Sequence, residues 1–285
     1  MAGILYVVAT PIGNLEDVTL RALKILREVS LIAAEDTRRT ARLLQHYSIS
    51  TRTTSLHEHN ERDKTPKLVA RLEAGESIAL VSDAGTPVVS DPGQALVAAA
   101  RDAGIRVEPV PGASAVMAAL SSSGLPAGSF AFLGFPPARS KDRKAWFDGL
   151  SQVGHLAVFF EAPHRLRKTL DDLASHFGPD HVIGVGRELT KVHEELVVRP
   201  ISMHLDYFQE PRGEFTVLVP PRQNAPGTGE TVPDGAALRI EFGHLTENGL
   251  SGGRAALKSL AAKYGVSVNA LYRLINAPPD DGHKT

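Results

Sequence analysis

The sequence predicts an α/β fold: two α/β domains in series, followed by a small helical C-terminal module. Three observations predict it. Apolar runs of strand length recur between residues 4 and 220 of the 285-residue chain. Stretches with helical period lie between most of them. Two breaks rich in Pro, Gly and polar residues, "SSSGLPAGSF" and "PRQNAPGTGETVPDG", interrupt the pattern.

In chain order, the first run is "ILYVVAT" (4–10), which breaks at Pro11. It is too short for a membrane span or a usual signal peptide and reads as a core strand. In "DVTLRALKILREV", Ala22, Ile25, Leu26 and Val29 fall at i, i+3, i+4 and i+7, one face of a helix. "LIAAED" (31–36), "IALVSD" (78–83) and "RVEPVPG" (106–112) follow as strands apolar on both faces. That pattern predicts mainly parallel sheets covered by helices. Beyond the first break, "FAFLGF" (130–135), "LAVFFEA" (156–162), "VIGVGREL" (182–189) and "FTVLVP" (215–220) supply a second set. The resulting boundaries are 1–121 and 122–222 for the two α/β domains, 223–235 for a linker and 236–285 for the helical module. In that module Ala256, Leu260, Ala261 and Tyr264 share a stripe, Gly265 is a stop, and Ser267 caps "VNALYRLI". Two short helices around a Gly turn are helix-turn-helix-like.

A hydrophobic content of 42% suits a chain that buries real cores. The absence of cysteine excludes a disulfide framework, a Cys-ligated zinc and a thiol nucleophile, and fits a reducing, cytoplasmic setting. A net charge of −1 supplies no global field for nucleic acid, so a polyanion has to be met by local basic patches.

Polar residues collect at the ends of the predicted strands, where a parallel sheet builds its ligand crevice. Thr10, Pro11, Gly13 and Asn14 leave the first strand; Glu35, Asp36 and Arg38 leave the second; Ser82, Asp83, Gly85 and Thr86 leave the third. Gly112 and Ser114 follow the fourth, and "FFEAPHR" and "GRELTKVHEE" do the same in the second half. Neither G-x-G-x-x-G after the first strand nor a P-loop is present, so no pyrophosphate site is supported. Carboxylates among residues with little bulk suit a cationic ligand, or one with a ribose diol and an amine.

Eight motifs in order, "TPIGNLEDVTLRAL", "AAEDTR", "HEHNE", "ALVSDAGTPVVSDPG", "VPGASA", "FFEAPHR", "RELTKVHEE" and "PRGEF", resemble the tetrapyrrole methylase superfamily. Within it they are most similar to the branch that methylates 16S rRNA. The likeness runs from about residue 3 to about 220; Ala9, Ala113 and Pro136 depart from the usual pattern without removing a polar group. The resemblance implies two α/β domains of tetrapyrrole methylase type with the cofactor cleft between them. It also implies S-adenosyl-L-methionine as cofactor, 2′-O-methylation of a cytidine in 16S rRNA of the small ribosomal subunit, and a homodimer. Cofactor contacts then fall on Pro11, Asp83, Gly85, Thr86, Gly112, Ala113, Ser114, Ala115, Glu161, Pro163, His164, Leu189 and Gly213. Asp91, in "DPG", reads as the cap of the next helix.

Removing a proton from a ribose hydroxyl takes a positioned base, for which His57, Glu58, Glu35, His193 and Glu195 are the candidates. Arg38, Arg39 and Arg42 at one helical start, with Arg165 and the "KDRK" and "RLRK" runs, are the candidates for RNA phosphates. No metal is expected, because H-E-x-x-H is missing and the transfer needs no Lewis acid. Two other functions draw on the same residues: methylation of a small tetrapyrrole, or a non-catalytic nucleic-acid-binding ligand sensor.

Overall fold

The computed structural model describes residues 2–222, 233, 235–247, 253–264 and 266–276. The chain divides into two compact units, Met1–Pro221 and Arg222–Thr285. The segment read as a linker, apart from Pro233 and Gly235, lies outside the described residues, as does Gly265.

The first unit holds two five-stranded sheets. In the first, β1 (Ile4–Val8), β2 (Leu31–Ala34), β3 (Thr53–Ser55), β4 (Ile78–Val81) and β5 (Arg106–Val110) lie in the order β3-β2-β4-β1-β5, all parallel. β2 and β4 are buried at every residue, which is why both read as unbroken apolar runs. Alternation divides their side chains between two cores. On one face Ile32, Ala34, Ala79 and Val81 pack with α1 (Leu20–Glu28) and α2 (Thr37–His46) through Ile25, Leu26, Leu43 and Leu44. On the other, Leu31, Ala33, Ile78 and Leu80 meet Leu68 and Leu72 of α3 (Glu61–Glu73) and Leu96 and Ala100 of α4 (Gln94–Asp102). The stripe predicted for α1 is buried, and Thr19 caps it by accepting from Ala22 N at 3.1 Å.

α5 (Ala115–Ser123) ends at Gly124, whose φ of 69° turns the chain toward the second sheet. There β6 (Phe130–Phe132), β7 (Leu156–Glu161), β8 (Val182–Arg187), β9 (Glu195–Pro200) and β10 (Phe215–Val219) lie in the order β6-β7-β10-β8-β9. Only β6 and β7 run parallel, which corrects the expectation of mainly parallel sheets for this half. A run apolar on both faces encodes burial and says nothing of direction. β9 was hidden inside the "KVHEELVVRP" stretch, and the three-residue polar β3 carries no strand signal. α6 (Ser140–Leu150), α7 (Pro163–Phe177) and α8 (Ile201–Tyr207) cover this sheet, with Phe147, Phe159, Leu170 and Phe215 at its core.

Among the described residues the second unit holds three helices, α9 (Gly235–Glu247), α10 (Gly253–Lys263) and α11 (Val268–Asn276), one more than the sequence reading separated. Leu238, Leu260, Ala261, Tyr264, Leu271 and Ile275 form its core, and Ser267 caps α11 by accepting from Ala270 N at 3.1 Å.

His204 of α8 is fully buried, its Nε2–H donating to the Ile183 carbonyl at 3.1 Å while Nδ1 has no partner. Burial pulls its pKa down to about 4, so the neutral ring is the folded form. The unfolded chain, with the ring near its ordinary 6.5, binds the proton first, so stability is complete above about pH 6.5 and is lost as pH falls toward 4. His204→Phe should remove on the order of 3 kcal/mol of that acid slope. Urea titrations at pH 7 and pH 4.5, followed by the single tryptophan, Trp146, which packs on Phe159, check it.

Candidate functional site

β1 and β4 are neighbours whose following connections depart to opposite sides of the sheet, the switch point at which open α/β sheets bind ligands. The two loops are tied there: Thr10 N donates to Gly85 O at 2.9 Å and Gly85 N to Thr10 O at 3.0 Å. Gly85 has φ 77°, a left-handed turn that glycine adopts without cost. A second tie joins the loops after β2 and β4. Asp83 N donates to Glu35 Oε2 at 3.2 Å, and Asp36 N donates to Asp83 Oδ1 at 2.9 Å.

Above this edge lies a cavity of about 700 Å³, within the roughly 300–1,000 Å³ usual for small ligands. Ile12, Glu35 and Arg39, the loop 83–91 and the segment 109–117 contribute from the first sheet's side. Phe135, Phe160 to Pro163, Leu189 and Glu214 to Thr216 contribute from the second sheet's side. A smaller pocket of about 360 Å³ adjoins it and shares Ile12, Arg39, Asp83, Ala84 and Glu214; Pro11, Arg42 and Lys191 complete its charged and kinked rim.

Of the expected cofactor residues, Asp83, Gly85, Thr86, Gly112, Ser114, Ala115, Glu161, Pro163 and Leu189 line the large cavity and Pro11 the small one. Ala113, His164 and Gly213 line neither. At Gly213 (φ 90°) an added Cβ would come within 2.5 Å of the Glu188 side chain, so that glycine is there for packing. Glu161 is only 1% exposed and its carboxylate is fully engaged. Oε1 accepts from Ala162 N at 2.9 Å and pairs with Arg165 Nε at 3.4 Å; Oε2 accepts from the Thr169 hydroxyl, and Arg143 is 3.8 Å away.

Among the candidate bases, Glu35 alone reaches the cavity. Burial, then the neighbouring Asp83, raise its pKa against a backbone hydrogen bond and Arg39 that lower it. Glu58 and His193 are exposed and outside both pockets. His57 lies in the turn before α3, with Nε2 2.8 Å from Asn60 Nδ2 and Nδ1 buried without a partner. Glu195 bonds Tyr207 at 2.7 Å and Arg187 at 3.0 Å; burial pushes its pKa up, but these bonds outweigh that and hold it low.

The arginines separate likewise. Arg39 is 3.4 Å from Asp83 and faces both pockets; Arg42 is exposed at the rim of the smaller one. Arg38, 89% exposed, folds back in a fork onto Asp36, whose carboxyl it holds well below the usual range. Arg165 and Arg143 of "KDRK" turn their guanidiniums inward, to the carbonyls of Pro136 and Pro137 and to Asp172.

Asp91, read as a helix cap, is the site residue the sequence concealed. α4 is capped instead by Glu61, whose Oε1 accepts from Gly93 N at 3.0 Å and Ala95 N at 2.8 Å. Asp91 is thereby left to line the cavity. Burial, then the facing Glu35 and Asp83, push its pKa up to about 6 against a hydrogen bond from Ser82. Val88 and Ser90, at φ 75° and 65°, carry left-handed strain just before it, the kind that collects at functional loops.

The profile of the Tetrapyrrole (Corrin/Porphyrin) Methylases family matches residues 4–203. The chain is 46% identical over 276 residues to the ribosomal RNA small subunit methyltransferase I of Synechocystis sp., covering 95% of this chain and 97% of that protein. It is 46% identical over 277 residues to the protein of the same name from Pseudomonas aeruginosa, covering 95% and 96%. Among solved structures, a diphthine synthase is similar at TM-score 0.61 and 15% identity, over 77% of this chain and 90% of that one. A uroporphyrin-III C-methyltransferase from Thermus thermophilus, solved with S-adenosylhomocysteine, is similar at TM-score 0.56 and 18% identity, over 76% and 97%.

Gly13 binds the two sides of the cleft: a Cβ there would lie 2.5 Å from Lys191 Cγ, 2.6 Å from Thr190 Oγ1 and 2.9 Å from the Leu189 carbonyl oxygen. Asn14 N donates to Thr190 Oγ1 at 3.0 Å beside it. Gly13→Ala should cost roughly 1–3 kcal/mol, the usual penalty of overpacking. Gly149→Ala, a helical position with nothing near the added carbon, should instead gain about 0.5–1 kcal/mol. Urea denaturation of the two variants checks the contrast.

Proposed function

Because the chain belongs to the Tetrapyrrole (Corrin/Porphyrin) Methylases family, and within it to the ribosomal RNA small subunit methyltransferase I group, we propose that it 2′-O-methylates a cytidine in 16S rRNA. It is an S-adenosylmethionine-dependent methyltransferase. The observation that carries the reading is the cavity: lean backbone on one wall, three carboxylates on another, and a cation-rimmed pocket adjoining it. Bound S-adenosylmethionine supplies an electrophilic methyl group on a cationic sulfur. The residues suit that group. Gly85 and Gly112 keep side-chain bulk out, Val110, Val116 and Leu189 offer an apolar wall, and Asp83 and Glu35 offer negative charge and acceptors.

In this reading Asp83, Gly85, Thr86, Ser114, Ala115 and Leu189 hold the cofactor. The smaller pocket takes the ribose-phosphate side of the RNA, with Arg39 and Arg42 at the phosphates. The proton acceptor is Asp91, coupled to Glu35, because a carboxyl raised to about 6 is ionised at neutral pH yet retains affinity for a proton. The sheets, over 1–121 and 122–222, act as two lobes clasped by Gly13, Asn14 and Thr190. Action on the ribosome implies a cytoplasmic protein, and among the described residues no helix is long and apolar enough to cross a membrane. A homodimer belongs to the same proposal, with the exposed Val182, Val198 and Met203 beside the β9 edge as the surface open to a second copy.

Purified protein incubated with S-adenosylmethionine and small subunits lacking the modification should yield one 2′-O-methylcytidine, read by mass spectrometry of the digested rRNA. Unmodified subunits would refute the assignment. Asp91→Asn should lower kcat by about 10²- to 10⁴-fold, the range of a lost general base, without losing cofactor affinity. In the unsubstituted enzyme kcat/KM should fall below about pH 6, as Asp91 takes up its proton, and that limb should vanish in the variant.

A further inference from the structure

The cofactor, the reacting hydroxyl and the flanking phosphates leave one part of the target nucleoside without a seat, its base. We infer that Phe135 is the stacking platform on which that base rests, an inference that depends on the RNA-methyltransferase reading above. Three apolar residues at the cavity are open to solvent: Val89 at 49%, Met117 at 54% and Phe135 at 52% exposure. Exposed apolar surface continuous with a binding cavity marks a place where a ligand group comes to rest.

Phe135 is supported from behind. Its ring lies 5.5 Å from Phe160, which packs edge-on against Phe132 at 5.0 Å. The loop that carries it is pinned. Gly134, at φ 65°, turns the chain out of β6, and its carbonyl accepts from Phe160 N at 2.8 Å. The two residues after Phe135 are prolines whose carbonyl oxygens accept from Arg165, with Arg143 reaching Pro137 O at 3.5 Å. Both arginines are anchored in turn on the buried Glu161.

Burying such an ion network costs free energy that apolar packing of the same volume would not, and in some proteins the return is conformational specificity. What this network specifies is the loop 134–137, whose exposed aromatic side chain is Phe135. Across the cavity mouth, a Cβ on Gly134 would sit 3.4 Å from Ser90 Oγ, next in sequence to Asp91. A base laid on Phe135 therefore brings its own ribose toward the carboxylate that accepts the hydroxyl proton. Proteins that act on a chosen RNA nucleotide unstack its base onto an aromatic face.

The test compares Phe135→Ala, Phe135→Leu and Phe135→Trp by steady-state methylation of small ribosomal subunits, with calorimetry of S-adenosylmethionine binding. Ala and Leu should lower kcat/KM for the subunit roughly 5- to 150-fold, the factor that ~1–3 kcal/mol of base–aromatic stacking represents. Trp should restore it to within about twofold, and cofactor affinity should be unchanged throughout. Full activity in the Ala or Leu variant would overturn the inference. So would a matching loss of cofactor affinity, which would assign Phe135 to the cofactor, or a change in sedimentation, which would assign it to contact between copies. Activity of the unsubstituted enzyme on the same subunits separates the two claims. If it methylates them and Phe135→Ala does so equally well, the platform alone falls; if it leaves them unmodified, the methyltransferase reading falls.

Discussion

The site depends on a constraint at the switch point of the first sheet: the loops after β1, β2 and β4 hold one another by backbone groups. Thr10 and Gly85 exchange two hydrogen bonds, and the carboxylates of Glu35 and Asp83 each accept an N–H from the loop of the opposite strand. Buried backbone donors must be satisfied somewhere. Here they are satisfied between loops, so the loops need few side chains of their own and the space above them stays empty. That is why the stretch "VSDAGTP" can be both rigid and lean. Rigidity comes from neighbouring loops, and leanness leaves room for a ligand to approach main chain.

The second sheet contributes by a different physical route. Its side of the cleft is fixed by ions and close packing: Lys191 donates to Glu188 and Glu214 at 2.9 Å each, and Glu188 in turn accepts from Glu214 N at 2.9 Å. Glu188 and Thr190 stand at φ 47° and 65°, conformations that persist only where surrounding bonds over-determine them. The strained turn delivers Thr190 and Leu189 to the first sheet's loop at Gly13, a glycine with no room for another carbon. Two stiffened edges thus meet at Gly13, beside the apolar cluster in which Ile12, Val116 and Leu120 pack with Leu189 and Leu218.

Much of this was legible in the sequence, and the failures have identifiable causes. Strand ends carrying Asp83, Gly85, Thr86 and Ser114 could be found because burial on both faces makes parallel strands conspicuous and their polar termini stand out. Asp91 could not, because Asp-Pro-Gly before a helix reads as a local cap, whereas the actual cap, Glu61, comes from 32 residues away. Arg143 and Arg165 sit in basic runs that look solvated; Glu161, Thr169 and Asp172 reach Arg143 from elements that only the fold brings beside it, and Glu161 holds Arg165 as well. Glu195 illustrates the reverse case, a chemically able group already occupied by Arg187 and Tyr207. Sequence reveals which residues could do chemistry, and partners determine which remain free to do it.

In the reading proposed above, the charges around the cavity account for a carboxylate acting as base to a hydroxyl that is a poor acid. Glu35, Asp83 and Asp91 face one another with Arg39 as the cation among them, so negative charge predominates and the proton affinities of Asp91 and Glu35 rise together. In the same reading, that shared rise leaves Asp91 ionised near neutral pH yet with more affinity for a proton than an ordinary carboxylate. Beside burial, like-charge crowding that would be a defect in a purely structural cluster is, in that reading, what gives Asp91 its proton affinity.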